Sequence, residues 1–378
     1  MNNQEPYLEL LQQLRQLARL ESVAGLVFWD EEVNLPPNRA PWRAEQNAAM
    51  AKVIHQAAGN RKLGQLIDSL EKRDDLDDAQ SFVVREARRD YERITKLPET
   101  YVTRRAEVTS NAYHAWNRAR QDDDFNSFAP FIERHLELAH EEANYLGFSE
   151  QPYDYWIDRH DPGITAKTIT QLFTELRQSL VPLVKEIIDS TPPQYKSIFT
   201  GFPISQQNEF LQRVITQMGF DKSRGRIDIS IHPFCSGTTF DTRMTTRFDE
   251  DKPLDSLLSA VHETGHALYQ QGLPSAHPGS ALNEAAGMAV HESQSRLWEN
   301  QVGRSHAFWQ YWEPQFRELF PQQLKNVTSE QLFTAINAVK LHPIRTESDE
   351  VTYNLHIILR FEICYMLILN SSHFLESF

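Results

Sequence analysis

Apolar residues recur at helical spacing along most of the chain, and this recurrence restricts the fold more than any other feature. From Tyr7 to Leu20, leucines stand at Leu8, Leu11, Leu14 and Leu17, with arginine and glutamine between them. That spacing places the apolar side chains on one face of an α-helix. Residues 40–58, 61–95 and 125–146, rich in Ala, Glu, Arg and Leu, repeat the pattern. Each stripe predicts a helix face turned toward a core. Glycine is sparse, 14 in 378 residues, and prolines cluster where helices are expected to end. A long connection with aromatics, prolines and Gly163 is expected over 151–165.

One region departs from this period. Ile227-Asp-Ile-Ser-Ile231 alternates apolar and polar residues, as a half-buried strand does. A Gly-Thr-Thr turn follows at 237–239, and Phe240 to Phe248 reads as a second extended segment. The expected architecture is mainly α, with a small antiparallel sheet just before the helix that carries the chemistry.

A length of 378 residues allows two domains, but no repeat or low-complexity linker divides the chain, so a single domain over 1–378 is expected. At 40% hydrophobic and 24% charged residues the chain has an ordinary globular composition and can bury a large core. A net charge of −14 argues against nonspecific nucleic-acid binding. Two cysteines, Cys235 and Cys364, make no disulfide framework and point to a reducing compartment. The start, Met-Asn-Asn-Gln-Glu-Pro, lacks the basic and apolar segments of a signal peptide. No run of about 18 apolar residues predicts a membrane span. A cytoplasmic protein without membrane partners is expected.

The chemistry concentrates in His262-Glu263-Thr264-Gly265-His266. Four residues apart on a helix, the two imidazoles share a face and suit two positions around one tetrahedral ion. Glu263, beside the first histidine, can reach a water on that ion. Leu254, Leu257, Leu258, Val261 and Leu268 form the apolar stripe of this helix, and Gly272 and Pro274 stop it. The competing reading is a pair of ordinary helix-surface histidines in a chain with 14 of them. A zinc site with two histidines needs a third protein ligand and keeps one position open. The next helix, Glu284 to Asn300, supplies Glu292, 26 residues past His266, which leaves room for a turn and an antiparallel return. Glu284, Glu299 and His291 compete with it on spacing alone.

Several motifs occur in order: His232-Pro-Phe234, Asp241-Thr-Arg243-Met-Thr245, His262-Glu-Thr-Gly-His266, His291-Glu-Ser-Gln294 and Ile344-Arg-Thr-Glu-Ser-Asp349. Leu26-Val-Phe-Trp-Asp30, the Gln46 segment and Ser293 to Asn300 fit the same series. From about residue 5 to Glu362 the chain resembles the carboxypeptidase Taq family of zinc metallocarboxypeptidases. The resemblance implies a helical, zincin-like fold with a deep groove and the metal at its floor. It implies removal of C-terminal amino acids from peptides, in a homodimer. It makes Glu292 the third ligand beside His262 and His266, with Zn2+, or Co2+, as the ion. Ser348 replaces the alanine usual in the pattern. Family members run on for roughly a hundred residues more and carry a later Gly-x-x-Gln-Asp-x-His-Trp motif. Residues 363–378 do not resemble that continuation, and a truncated or frameshifted end is the expectation.

The implied reaction is metal-assisted amide hydrolysis, with Glu263 taking the proton of the attacking water and passing it to the leaving amine. A free C-terminal carboxylate calls for a bidentate arginine. Arg345 and Arg243 are the candidates, and a structural ion pair is the alternative for each. His232 stands between a role near the site and a buried structural one. Tyr353 and His356 are weaker candidates as donors to the oxyanion. Cys235 reads as a packing residue rather than a ligand. Two other readings compete with an active carboxypeptidase: an oligopeptidase or endopeptidase on the same scaffold, and a truncated metal-binding chain with little or no turnover.

Overall fold

The computed structural model describes residues 5–36, 40–190, 198–230, 232–343, 345 and 348–369. In chain order the helices and strands are α1 (Glu5–Asn34), α2 (Ala40–Ala58), α3 (Arg61–Leu70), α4 (Asp78–Thr95), α5 (Glu99–Asp122), α6 (Phe125–Leu146), α7 (Pro152–His160), α8 (Ala166–Asp189), α9 (Ile204–Met218), β1 (Gly225–Ile229), β2 (Cys235–Thr238), β3 (Asp241–Thr246), α10 (Pro253–Gly272), α11 (Met288–Arg296), α12 (His306–Leu319), α13 (Ser329–Ile336) and α14 (Tyr353–Leu369). A π-helical segment, Leu297–Val302, follows α11 directly. The fold is mainly α with one small sheet, as the patterning predicts, but the sheet has three strands rather than the two extended segments read from the sequence.

Three local expectations need correction. The stripe over 61–95 is two helices. Residues 71–77 are almost all charged and offer only Leu76 to a core, and Asp77 then caps α4 by accepting from the backbone N–H of Gln80 at 2.8 Å. The connection over 151–165 contains α7, which starts with Pro152 at its first turn and buries Tyr155. The sheet is mixed rather than antiparallel. Its order is β1-β3-β2, with β1 parallel and β2 antiparallel to β3. After β1 the chain crosses the end of β3 through His232-Pro-Phe234 instead of turning back as a hairpin. Thr245 holds this crossing: its hydroxyl accepts from the N–H of Phe234 at 3.0 Å, and its own N–H donates to the Phe234 carbonyl at 2.9 Å. Gly237 in β2 has φ +115, and a Cβ there would lie 2.0 Å from the carbonyl oxygen of Asp241, so the tight β2–β3 hairpin requires glycine. Ile231, Ile344, Thr346, Glu347 and tail residues 370–378 lie outside the described residues.

The chain forms two compact units, Met1–Tyr91 with Pro193–Ala338, and Glu92–Pro192 with Val339–Phe378. The first contains the sheet, α10 and α11. Its aromatic core includes Phe202, Phe210, Trp309, Trp312, Phe316 and Phe320, and Leu257 and Val261 of α10 pack into it. Ala260 and Ala267, on another side of α10, meet a second cluster with Leu211, Ile215, Phe220 and Met244. Helix α10 is thus buried from two sides, which fixes its rotation and directs its histidine face toward α11. In the second unit, Ile368 of α14 packs with Ala129 and Leu136 of α6. The described part of segment 363–378 therefore continues a packed helix.

Candidate metal centre

Helices α10 and α11 run antiparallel, because His262 meets Glu299 while His266 meets His291 and Glu292. Thr246 at the end of β3 ties down the start of α10 by donating to the Ser256 carbonyl at 3.0 Å. The return from α10 to α11 is pinned by the buried Asn283, whose amide donates to the Pro274 carbonyl at 2.7 Å and to the Thr239 hydroxyl at 3.0 Å.

The two imidazoles pack edge to face, with ring centroids 4.9 Å apart. Oε2 of Glu292 lies 3.2 Å from Nε2 of His266 and 3.6 Å from Nε2 of His262. One donor atom from each of these three residues falls within 4.8 Å of the others, the one such cluster among the described residues. Both Nδ1 atoms have other partners: Glu299 Oε2 at 2.7 Å from His262, and His291 Nδ1 at 2.5 Å from His266. Both Nε2 atoms are thereby left toward Glu292. Two imidazole nitrogens and one carboxylate oxygen, with no fourth protein donor among the described residues, match the donor set of a catalytic tetrahedral site. The residues fit a divalent ion.

The charges suit the same role. Burial alone would raise the Glu292 carboxyl, but the hydrogen bond from His266, the charges of His262 and Arg296 and the hydrogen bond from Arg296 hold it down at about 2. Burial opposes a charged His262, yet Glu299, Glu263 and Glu292 together hold its pKa above the ordinary value. Glu263 goes the other way. It is buried, and burial raises its carboxyl despite the two neighbouring histidines. Burial also pushes up the Cys235 thiol; Cys235 packs with the Phe220 and Met244 cluster and stands outside the donor group.

Of the residues singled out by sequence, His262, Glu263, His266 and Glu292 come together here. Glu284 lies instead in a cavity of about 500 Å3, whose walls also carry Arg15, Arg19, Glu21, Asp241 and Arg243. Arg243 pairs with Asp241 at 3.0 Å and stacks over the Trp29 ring at 4.2 Å. His232 is exposed, and its carbonyl accepts from the Ser230 hydroxyl at 2.6 Å. Arg345, Tyr353 and His356 belong to the second unit, where Arg345 donates to the Tyr353 hydroxyl at 2.6 Å and His356 Nε2 lies 3.0 Å from the His342 carbonyl. Sequence reasoning missed Arg296, which donates from Nε to Glu292 Oε1 at 3.0 Å and from Nη1 to Glu299 Oε2 at 2.9 Å. Its i+4 spacing from Glu292 was the available signal.

Comparison with known proteins agrees with this geometry. Residues 9–374 match the family described as carboxypeptidase Taq (M32) metallopeptidase, so the match ends inside segment 363–378 rather than at Glu362. Thermostable carboxypeptidase 1 of Thermus thermophilus is 37% identical over 379 residues, 96% of this chain and 74% of that protein. Carboxypeptidase 1 of Bacillus subtilis is 35% identical over 358 residues, 94% of this chain and 72% of that protein. The crystal structure of the M32 carboxypeptidase from Deinococcus radiodurans R1 superposes with a TM-score of 0.93 at 39% identity, covering 96% of this chain and 73% of that one. A fold, a donor set and a sequence match that converge over nearly all of its length mean that the chain belongs to the carboxypeptidase Taq (M32) family of metallopeptidases, hydrolases acting on peptide bonds.

Proposed function

We propose that this protein removes C-terminal amino acids from peptides, using a divalent ion held by His262, His266 and Glu292 and Glu263 as general base. The observation that carries the reading is the convergence of those three donor atoms within 4.8 Å beside the buried carboxylate of Glu263. Zinc is the ion of choice for two imidazoles and one carboxylate, and cobalt is the alternative. When bound, such an ion supplies Lewis acidity to the scissile carbonyl and lowers the pKa of water toward about 7. Glu263 takes the proton of the attacking water and delivers it to the leaving amine. Arg345 and Arg243 are the proposed readers of the substrate carboxylate, and Tyr353 and His232 are proposed as further substrate contacts. The family resemblance extends the reading to a homodimer, and the two cysteines, which make no disulfide framework, extend it to the cytoplasm. Among the described residues no helix is long and apolar enough to cross a membrane.

The test combines metal content with hydrolysis. The parent is expected to hold one divalent ion per chain and to cleave peptides with a free C-terminus but not their C-terminal amides. Glu263→Gln should keep the ion and lose about 10²-fold or more of the activity. Metal-free parent protein, or Glu263→Gln with activity within a few-fold of the parent, would overturn the assignment.

A further inference from the structure

The His262 ring lies between two carboxylates. Its Nε2 faces Glu292 Oε2 at 3.6 Å, and its Nδ1 lies 2.7 Å from Glu299 Oε2. The second contact has hydrogen-bond length and the first does not. A neutral imidazole carries one proton, and a carboxylate can only accept, so the Glu299 contact places that proton on Nδ1. The lone pair is then on Nε2, directed at the gap shared with His266 and Glu292.

Glu299 is held for this task. Its side chain is only 15% exposed, and Arg296 Nη1 donates to the same Oε2 at 2.9 Å. Arg296 also donates from Nε to Glu292 Oε1 at 3.0 Å, so one guanidinium spans both carboxylates and leaves Oε2 of Glu292 for the gap. The backbone is specialised at the same point. Glu299 sits in the π-helical segment Leu297–Val302, which closes with the N–H of Gly303 donating to the Trp298 carbonyl at 2.7 Å. π turns are rare and rotate side chains away from their α-helical positions. Here the turn accompanies a carboxylate that reaches the far nitrogen of a histidine one helix away.

We infer that Glu299 is a positioning residue for the metal centre: it fixes the Nδ1–H tautomer and the ring orientation of His262, and Arg296 couples it to Glu292. The inference rests on the metal-site reading above. Carboxylates placed in this way beside metal-ligating histidines make the ring more basic, and their removal typically weakens metal affinity by about 10–100-fold.

The test uses the full chain stripped of metal. Zn2+ affinity is measured by competition with a chromophoric chelator for the parent, Glu299→Ala, Glu299→Gln and Glu292→Ala. The His262 tautomer is read in the metal-free protein by nitrogen-15 NMR at a pH high enough to leave the ring neutral, with His262→Gln to assign the signal. The parent is expected to show His262 protonated at Nδ1. Glu299→Ala is expected to lose that preference and to bind Zn2+ about 10–100-fold more weakly. Glu299→Gln is nearly isosteric and keeps a carbonyl that Arg296 holds in place. It should retain the tautomer but bind Zn2+ about two- to tenfold more weakly, and if the alanine variant does not fold, a loss of less than about twofold in Glu299→Gln overturns the role of Glu299. A parent that binds Zn2+ and is weakened by Glu292→Ala, while both Glu299 variants stay within twofold of it and keep the tautomer, would overturn the role of Glu299 alone. A parent that takes up no Zn2+, or Glu292→Ala with parental affinity, would overturn the metal-site reading and this inference with it.

Discussion

Gly265 of α10 lies directly against Ser295 of α11: a Cβ at position 265 would stand 2.6 Å from the Ser295 Cα and 2.7 Å from the Gln294 carbonyl oxygen. The obstruction is backbone, so no rotamer change relieves it. The residue between Glu263 and His266 that has no side chain therefore sets the helix separation, and with it the reach from Glu292 to both histidines.

Gly265→Ala is accordingly expected to weaken metal binding although no donor atom changes. Helix propensity alone would favour alanine by about 0.5–1 kcal/mol. Overpacking costs about 1–3 kcal/mol, and here it should win. The variant is expected to melt below the parent and to bind Zn2+ about tenfold or more weakly. A melt at or above the parental temperature with unchanged affinity would show that the helices separate without cost.

Glu284 offers a pH test at a site away from the metal ligands. Burial, then the charges of Glu21 and Asp90, push its carboxyl up from 4.5 to about 7. The folded protein thus keeps a proton between pH 4.5 and about 7 that the unfolded chain has released. The associated stability is fully present below pH 4.5 and is lost as pH rises through about 7. Solvent reaches the residue from the cavity side, so the effect is screened. Glu284→Gln should melt higher than the parent above pH 7, with the difference vanishing near pH 4. A constant difference across that range would assign the effect to packing rather than charge.

How much of this was legible in the sequence depended on distance along the chain. Helix α10 and its histidines could be read because an i, i+4 pair and an apolar stripe are local signals. β2 could not be read: Cys235-Ser-Gly-Thr238 has no alternation and weak strand propensity, and only pairing with β3 makes it a strand. The parallel register of β1 depends on a crossing that only the folded chain reveals. Glu292, Glu299, Glu284 and His291 were equivalent by spacing. The π turn and the antiparallel packing separate them, putting Glu292 on the Nε2 side of the histidines, Glu299 and His291 on the Nδ1 side, and Glu284 in a cavity.

In the second unit, the buried Glu142 accepts from Tyr155 at 2.7 Å, Tyr101 at 2.8 Å and Arg105 at 2.7 Å. Burial would raise this carboxyl, but the two tyrosines and Arg105 hold it below the usual value. Hydrogen bonds to a charged group contribute about 1.5–3 kcal/mol each. Tyr155→Phe should destabilise the protein by an amount in that range in urea unfolding at neutral pH. The loss should shrink as pH falls through the folded pKa of Glu142, where the carboxylate becomes protonated. A loss below about 0.5 kcal/mol would show that Tyr101 and Arg105 satisfy the carboxylate without it.

The two candidate arginines are expected to behave differently. Arg243 already faces a carboxylate, Asp241, and lies over Trp29, so much of its binding capacity is committed within the first unit. Among the described residues, Arg345 donates to a neutral hydroxyl, that of Tyr353, and lies over its ring at 5.6 Å. A guanidinium has five N–H donors, and one bond to a hydroxyl leaves a fork suited to a carboxylate. If Arg345 reads the substrate terminus, Arg345→Ala should raise KM for peptides with a free C-terminus by about tenfold or more, corresponding to a lost charged hydrogen bond of about 1.5–3 kcal/mol. Arg345→Lys should recover only part of this, because a point charge cannot form the bidentate pair. C-terminally amidated peptides should be equally poor substrates for parent and variant. Arg243→Ala should instead lower the melting temperature, with a smaller change in KM, since it removes an ion pair and a ring contact. The reverse pattern, with KM moved by Arg243→Ala and untouched by Arg345→Ala, would transfer carboxylate recognition to the strand that pairs with β1 and β2.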